Sequence, residues 1–155
     1  MTPAINLAKK QKVAYQVHEY IHDTASESYG LEAAEKMGVT AERVFKTLVV
    51  MLDNKDLAVG IVPVSAQLSM KSMAKALGAK KALMAEKSAV ERATGYVLGG
   101  VSPLGQKKRL KTVLDASAKN YSSIYVSAGR RGLEIELNPD DLLKLTKGAF
   151  FELAQ

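Results

Sequence analysis

Two short segments carry residue types that could do chemistry together. The first is Phe45-Lys46-Thr47-Leu48-Val49-Val50-Met51-Leu52. In a strand, Lys46 shares a face with Leu48 and Val50, so its amine lies at the margin of an apolar surface. A cation there can hold a phosphate or an ester oxygen at the mouth of a pocket. The alternative is a lysine that snorkels from a strand end to water. The second is Gly99-Gly100-Val101-Ser102-Pro103-Leu104-Gly105, too glycine-rich for a packed strand. Its glycines let backbone N–H groups approach a ligand, and Pro103 stiffens the loop. Such a loop can supply an oxyanion site or can be a plain turn. It lacks the Gly-Lys-Ser/Thr of a phosphate-binding P-loop.

Other groups have weaker claims. Gln106-Lys107-Lys108-Arg109, with Lys111, follows the glycine loop directly; it reads as a phosphate contact or as a solvated turn. Arg130-Arg131 lies between glycines. Glu134 and Glu136 alternate with Leu133, Ile135 and Leu137, so both carboxylates share one face of a strand. They could do acid–base work, or they could form the strand's wet side. Tyr20 falls on the same face as His18 and could donate a hydrogen bond into a cleft. The two histidines, His18 and His22, belong to no HExxH or similar ligand set, so no metal is expected. No Gly-x-Ser-x-Gly elbow supports a serine nucleophile. The chain has no cysteine, which excludes a thiol nucleophile, a disulfide and a thiolate metal site.

The elements that must position these groups follow from periodicity. Thr2 and Pro3 open a helix running to about Lys10, and Val13, Tyr15 and Val17 mark a half-buried strand. Residues 21–30 read as a polar loop. Leu31, Ala34 and Met37 form one face of a short helix. Residues 45–52 and 57–62 read as apolar strands joined by the turn Asp53-Asn54-Lys55-Asp56, the first of them central. Met70, Met73, Ala74 and Leu77 define one helix, and Ala89, Val90 and Ala93 another. Strands are expected at 111–115, 122–127 and 132–137. Asn138, Pro139, Asp140 and Asp141 then start a final helix. The expected fold is α/β (α+β): a mixed, largely antiparallel sheet or barrel-like core with surrounding helices, in a single domain spanning residues 1–155.

Composition narrows the partners. Twenty-two Lys and Arg against 16 Asp and Glu leave a formal charge of +6, which favours polyanionic partners. The longest apolar stretch, 57–64, is too short to cross a bilayer, and the N-terminus has no basic region followed by an apolar run. A soluble, cytoplasmic protein without a membrane partner is expected.

Read in order, Met1-Thr2-Pro3-Ala4, His18-Glu19-Tyr20, Phe45-Lys46-Thr47-Leu48, the long run from Thr94-Gly95-Tyr96 through Lys107-Lys108-Arg109, Ile124-Tyr125-Val126-Ser127 and Arg131-Gly132-Leu133 resemble the YbaK family. These are Cys-tRNA(Pro) deacylases related to the editing domain of bacterial prolyl-tRNA synthetases, and the resemblance spans essentially the whole chain. It implies that Lys46 supports activity and that the loop of Gly99, Gly100, Val101, Ser102 and Pro103 holds the aminoacyl ester. It also places Tyr20, Thr47 and Ser127 in the substrate pocket, with Glu134 where some members have aspartate. Lys107, Lys108, Arg109 and Lys111 would grip tRNA. The implied substrate is Cys-tRNA(Pro), with Cys-tRNA(Cys) also a candidate, and the implied partner is prolyl-tRNA synthetase; no cofactor is implied. The implied chemistry is attack of the substrate's own thiol on its ester carbonyl. Removal of another small residue, such as alanine from tRNA(Pro), and a non-catalytic RNA-binding role remain the alternatives.

Overall fold

The computed structural model describes residues 1–25 and 28–155. Helix α1 (Pro3–Lys10) begins at Thr2, whose hydroxyl accepts the Ile5 N–H at 3.3 Å, and it buries Ala4, Ile5 and Ala8. Strand β1 (Tyr15–Glu19) and helix α2 (Tyr29–Met37) follow. A 3₁₀ turn, Ala41–Arg43, leads into the hairpin of β2 (Phe45–Leu52) and β3 (Leu57–Pro63). Next come α3 (Met70–Ala76), β4 (Ala82–Met84), α4 (Lys87–Thr94) and β5 (Lys111–Asp115). The chain ends with β6 (Ile124–Arg130), β7 (Leu133–Leu137), α5 (Pro139–Thr146) and β8 (Ala149–Phe151).

The strands form two sheets rather than one. The smaller has the order β1-β7-β6 and is antiparallel throughout. The larger has the order β4-β2-β3-β5-β8; β2 pairs antiparallel with β3 and β4, whereas β3-β5 and β5-β8 are parallel. A bridge between Val44 and Tyr125 joins the sheets beside the start of β2. One core cluster brings Phe45, Val49, Val59, Ile61 and Leu114 together with Val126, Ile135, Ile5 and Leu142. Val50, Ala58, Val62 and Val113 pack on the opposite face with Leu68, Met73 and Leu153. The larger sheet is therefore covered on both sides, which is why β2 and β3 read as nearly unbroken apolar runs.

The differences from expectation are local. Tyr29 and Gly30, read as loop, open α2, while Ser26 and Glu27 of that loop lie outside the described residues. The first strand starts at Tyr15 instead of Val13. β4 and β8 have three residues each, too few for a period to show. No helix among the described residues is long and apolar enough to cross a membrane.

Asp115 secures the C-terminal segment. Its Oδ1 accepts the N–H groups of Leu153 at 2.8 Å and Ala154 at 2.9 Å, and its Oδ2 accepts the Ser117 hydroxyl at 2.6 Å. Burial alone would raise its pKa, but these bonds outweigh it and hold the carboxyl below its ordinary value. Asp115→Ala leaves the buried Leu153 N–H without an acceptor. It should cost about 3 kcal/mol, read as a lowered urea midpoint; an unchanged midpoint would show that the C-terminal segment is held by packing alone.

Candidate active site

Where β2 begins, segments distant in sequence line a cavity of about 310 Å³. Tyr20 follows β1, and Ser28, Tyr29 and Gly30 lie at the start of α2. Val44 precedes β2, Phe45, Lys46, Thr47 and Leu48 belong to it, and Val64 follows β3; Leu98, Gly99 and Val101 come from the glycine loop, and Ser127 and Glu134 from β6 and β7. Lys46 and the glycine loop, far apart in sequence, thus meet at one space.

The polar groups of the cavity are under-satisfied. Thr47 Oγ1 is buried and has no hydrogen-bond partner among the described residues, a costly state unless a ligand or solvent fills the space. Glu134 lies opposite His18 and Ser127 in the sheet and is only 7% exposed. Its carboxyl makes no hydrogen bond or ion pair among the described residues, and burial pushes it up to about 8. The wet-side reading therefore fails for Glu134. Burial, and then the nearby Glu134 carboxyl, push the Tyr20 phenol up to about 12. Lys46 is half-buried, and that desolvation lowers its pKa. Ser127 Oγ accepts the Gly129 N–H at 3.1 Å, within the bulge of β6.

Glu136, on the same face, is engaged elsewhere. It pairs with His18 at 2.9 Å and with Arg43 at 3.7 Å, and accepts the Ser123 hydroxyl. His22 pairs with buried Glu32 at 2.7 Å, and Lys36 reaches the same carboxylate at 3.3 Å. Burial would raise the Glu32 pKa, but hydrogen bonds from His22, the Asp23 amide and Lys36 outweigh it and lower it. Both histidines are thus structural partners. No group of three or more His, Cys, Asp or Glu among the described residues could hold a metal ion.

The glycine loop divides into two parts. Gly99 has φ +90°, and a Cβ there would lie 2.4 Å from Arg131 Nε and 2.8 Å from the Tyr29 ring. Arg131 stacks 4.0 Å from the Tyr29 ring centroid and donates to the Leu98 carbonyl at 3.2 Å, holding the loop against α2. Gly99 is required by both its conformation and this close approach. Gly100 does not line the cavity. Its N–H donates to the Val97 carbonyl at 3.0 Å, and a Cβ there would lie 2.7 Å from Arg130 Cα. Its amide is therefore not free for an oxyanion, which corrects the expectation for this residue. Ser102 is fully buried as a turn residue: its hydroxyl accepts the Leu104 N–H at 3.2 Å and its carbonyl accepts from Gln106 at 2.9 Å. Pro103 lines a different hollow, together with Lys107.

The basic run is also set apart. Lys108, Arg109 and Lys111 line a cleft at the other end of the larger sheet. Lys111 is level with Ala58, which pairs with Val50, whereas Lys46 pairs with Val62. Four residues of strand separate the two levels, roughly 13 Å. Sequence reading missed Tyr29, hidden in an apparent polar loop, and gave Arg131 no role; only its place between glycines hinted at one.

Residues 26–145 match the aminoacyl-tRNA editing domain family. The chain is 40% identical over 152 residues to an Enterococcus faecalis protein provisionally named the Cys-tRNA(Pro)/Cys-tRNA(Cys) deacylase EbsC, covering 98% of this chain and 92% of that one. The solved structure of the hypothetical protein APE2540 superposes with a TM-score of 0.88 at 22% identity, covering 99% of both chains. A candidate trans-editing enzyme for prolyl-tRNA synthetase superposes with a TM-score of 0.83 at 22% identity, covering 100% of this chain and 99% of that one. At such identities the two structures establish the shared fold.

The buried carboxyl sets a pH dependence. The folded pKa of Glu134, about 8, exceeds its unfolded value of 4.5, so the folded state binds more protons between them and stability falls as pH rises through that window. Glu134→Gln removes the slope. Thermal melts of wild type and variant should run close together near pH 4.5, with the wild type falling progressively behind up to pH 8. Parallel curves across that range would mean that Glu134 ionises normally.

Proposed function

The chain belongs to the aminoacyl-tRNA editing domain family, and from that premise we propose that it deacylates mischarged tRNA, with cysteine on tRNA(Pro) as its substrate. The observation that carries this reading is the convergence of Lys46, Gly99 and Val101 on a cavity holding an unpartnered hydroxyl and an uncompensated carboxyl. Its volume, about 310 Å³, suits a small aminoacyl group and the edge of a ribose. Likeness to the E. faecalis protein, over nearly the full length of both chains, favours cysteine as the acyl group. We read residues 1–155 as one editing domain acting in the cytosol, with prolyl-tRNA synthetase as its partner.

Such a sieve has a physical purpose. A pocket that must tell apart side chains differing by about one methylene discriminates by only about 1–3 kcal/mol. A synthetase relying on size therefore mischarges, and a second site that destroys the wrong product restores accuracy.

The chain has no cysteine, and the substrate supplies its own nucleophile. The cysteinyl sulfur bonds to the ester carbonyl carbon, and the bond from that carbon to the ribose oxygen breaks. The thiol proton passes to the departing oxygen, leaving free tRNA and a thiolactone that water then opens to cysteine. Well-oriented intramolecular attack is worth at most about 7–11 kcal/mol, and the strain of a four-membered ring reduces that. Lys46 holds the terminal ribose or its phosphate. The amides of Gly99 and Val101, which donate to no group among the described residues, receive the developing oxyanion. Tyr20, Thr47, Ser127 and Glu134 surround the aminoacyl group, while Lys107, Lys108, Arg109 and Lys111 bind RNA away from the ester.

Lys46→Ala should lower release of cysteine from Cys-tRNA(Pro) by about 100-fold or more in a protein with an unchanged melting point; wild-type turnover would refute the assignment. Exchanging the substrate thiol for a hydroxyl should stop turnover but spare binding, whereas brisk release of serine from Ser-tRNA(Pro) would identify an activated water instead. Ready release of alanine from Ala-tRNA(Pro) would likewise redirect the specificity. Thr47→Val removes the orphaned hydroxyl. It should hold or raise the melting temperature while raising KM severalfold, and unchanged kinetics would show that the hydroxyl does not meet the substrate.

A further inference from the structure

The cleft at the far end of the larger sheet encloses about 710 Å³, more than twice the volume of the cavity at Lys46. Three segments distant in sequence build it: the β2–β3 turn from Asp53 to Leu57, the end of α3 with Gly78 and Ala79, and the strap Lys108 to Lys111 that enters β5. Lys55, Lys108, Arg109 and Lys111 line it and are all exposed. Lys80 and Lys81 stand at its rim, because their backbone N–H groups donate to Asp53 Oδ1 at 3.0 and 3.3 Å.

None of these six cations forms an ion pair among the described residues. The ion pairs that do form involve β1, α2, Arg43, β6 and β7, on the other side of the molecule. The two acidic residues of the cleft, Asp53 and Asp56, offset only part of this charge. Asp53 is turned to the Lys80 and Lys81 amides, and Asp56 Oδ2 accepts from the Asn54 side chain at 3.1 Å. Six cations against two carboxylates leave an excess of positive charge around an open, polar hollow, a site for a polyanion with spaced charges.

We infer that this cleft receives the phosphate backbone of the acceptor-stem duplex, with Lys55, Lys80 and Lys81 facing Lys108, Arg109 and Lys111 across it. The identity of the RNA rests on the deacylase reading. The separation of roughly 13 Å along the strands between the levels of Lys46 and Lys111 supports a division of labour. The single-stranded 3′ end spans from the cavity to the cleft, and the paired stem begins where the cations gather. Sequence reading found one half of this site, the run at 107–111, and not the half that faces it, because the facing cations lie in two separate turns.

The test is equilibrium binding of the full chain to an uncharged acceptor-stem minihelix over a range of salt. The triple variant Lys55→Glu, Lys80→Glu, Lys81→Glu should bind at least about tenfold more weakly, with the slope of log K against log salt reduced by about two to three. An unchanged affinity and slope would overturn the inference. So would intact RNA binding combined with lost binding to prolyl-tRNA synthetase, which would make the cleft a protein-docking surface. If the reversals unfold the chain, as a melting curve would reveal, alanine at the same three positions provides the same comparison. A second arm compares cysteine release from a Cys-CCA trinucleotide and from a charged minihelix. The wild type should have the lower KM for the minihelix, and the variant should lose most of that preference; a preference retained in full counts against the cleft. If the wild type releases cysteine from neither substrate, the deacylase reading fails while the binding result stands by itself.

Discussion

The site depends on the register of β2. That strand is covered on both faces, and its pairing with β3 sets Lys46 opposite Val62 and Thr47 opposite Ile61. A slip of one residue would exchange the two faces along the whole strand. Phe45 and Val49 would leave one core, Val50 would leave the other, and Lys46 would turn inward. Apolar packing on both sides therefore specifies where the cation stands. The bridge from Val44 to Tyr125 adds the second constraint, tying that end of β2 to the small sheet that carries Ser127 and Glu134. The Lys46 amine and a buried carboxyl can share a cavity because the joint between the sheets lies beside both.

What could be read from sequence follows the range of the interactions involved. Lys46 stood out because a lysine inside an apolar strand violates the local pattern, and Gly99 because glycine runs mark close approaches. The long strands and the capped helices were legible for the same local reasons. Glu134 was not. Alternation places it on the face with Glu136, and nothing in the alternation says that this face is covered at one end and open at the other. The cover comes from Tyr20 and the start of α2, far off in sequence and set within an apparent polar loop. Gly100 shows the converse limit. A glycine loop suggests free amides, but the carbonyl of Val97 decides whether the amide is free.

Charge is partitioned along the molecule. On the small sheet and α2, three carboxylates pair with five basic groups: Glu136 with His18 and Arg43, Glu32 with His22 and Lys36, and Glu19 with Arg130. At the far end of the larger sheet, five lysines and one arginine outnumber Asp53 and Asp56 and form no ion pair among the described residues. Adjacency in sequence misled here, because the basic run follows the glycine loop in the chain but is carried away from the cavity. The amides of Lys107 and Lys108 bond to the carbonyls of Thr94 and Ala93 at the end of α4, and the strap then turns into β5. The exit of the strap thus separates the basic cleft from the cavity at Lys46.

The cavity's own electrostatics favour a reaction that develops negative charge. At neutral pH a carboxyl held near 8 by burial is mostly protonated, so Glu134 can donate a hydrogen bond without placing an anion in the cavity. An ionised carboxylate at that position would oppose any negative charge developing in the cavity, as in the proposed reaction, and in a poorly solvated space the repulsion would be large. Its neutrality has the same cause as the orphaned Thr47 hydroxyl: polar groups enclosed without partners inside the protein. Left empty, such groups destabilise the fold. They are positioned to gain from an aminoacyl ester, whose amine, carbonyl and ribose oxygens present the missing donors and acceptors. The features that cost the folded chain stability are therefore the ones that fit the cavity to the proposed acyl group.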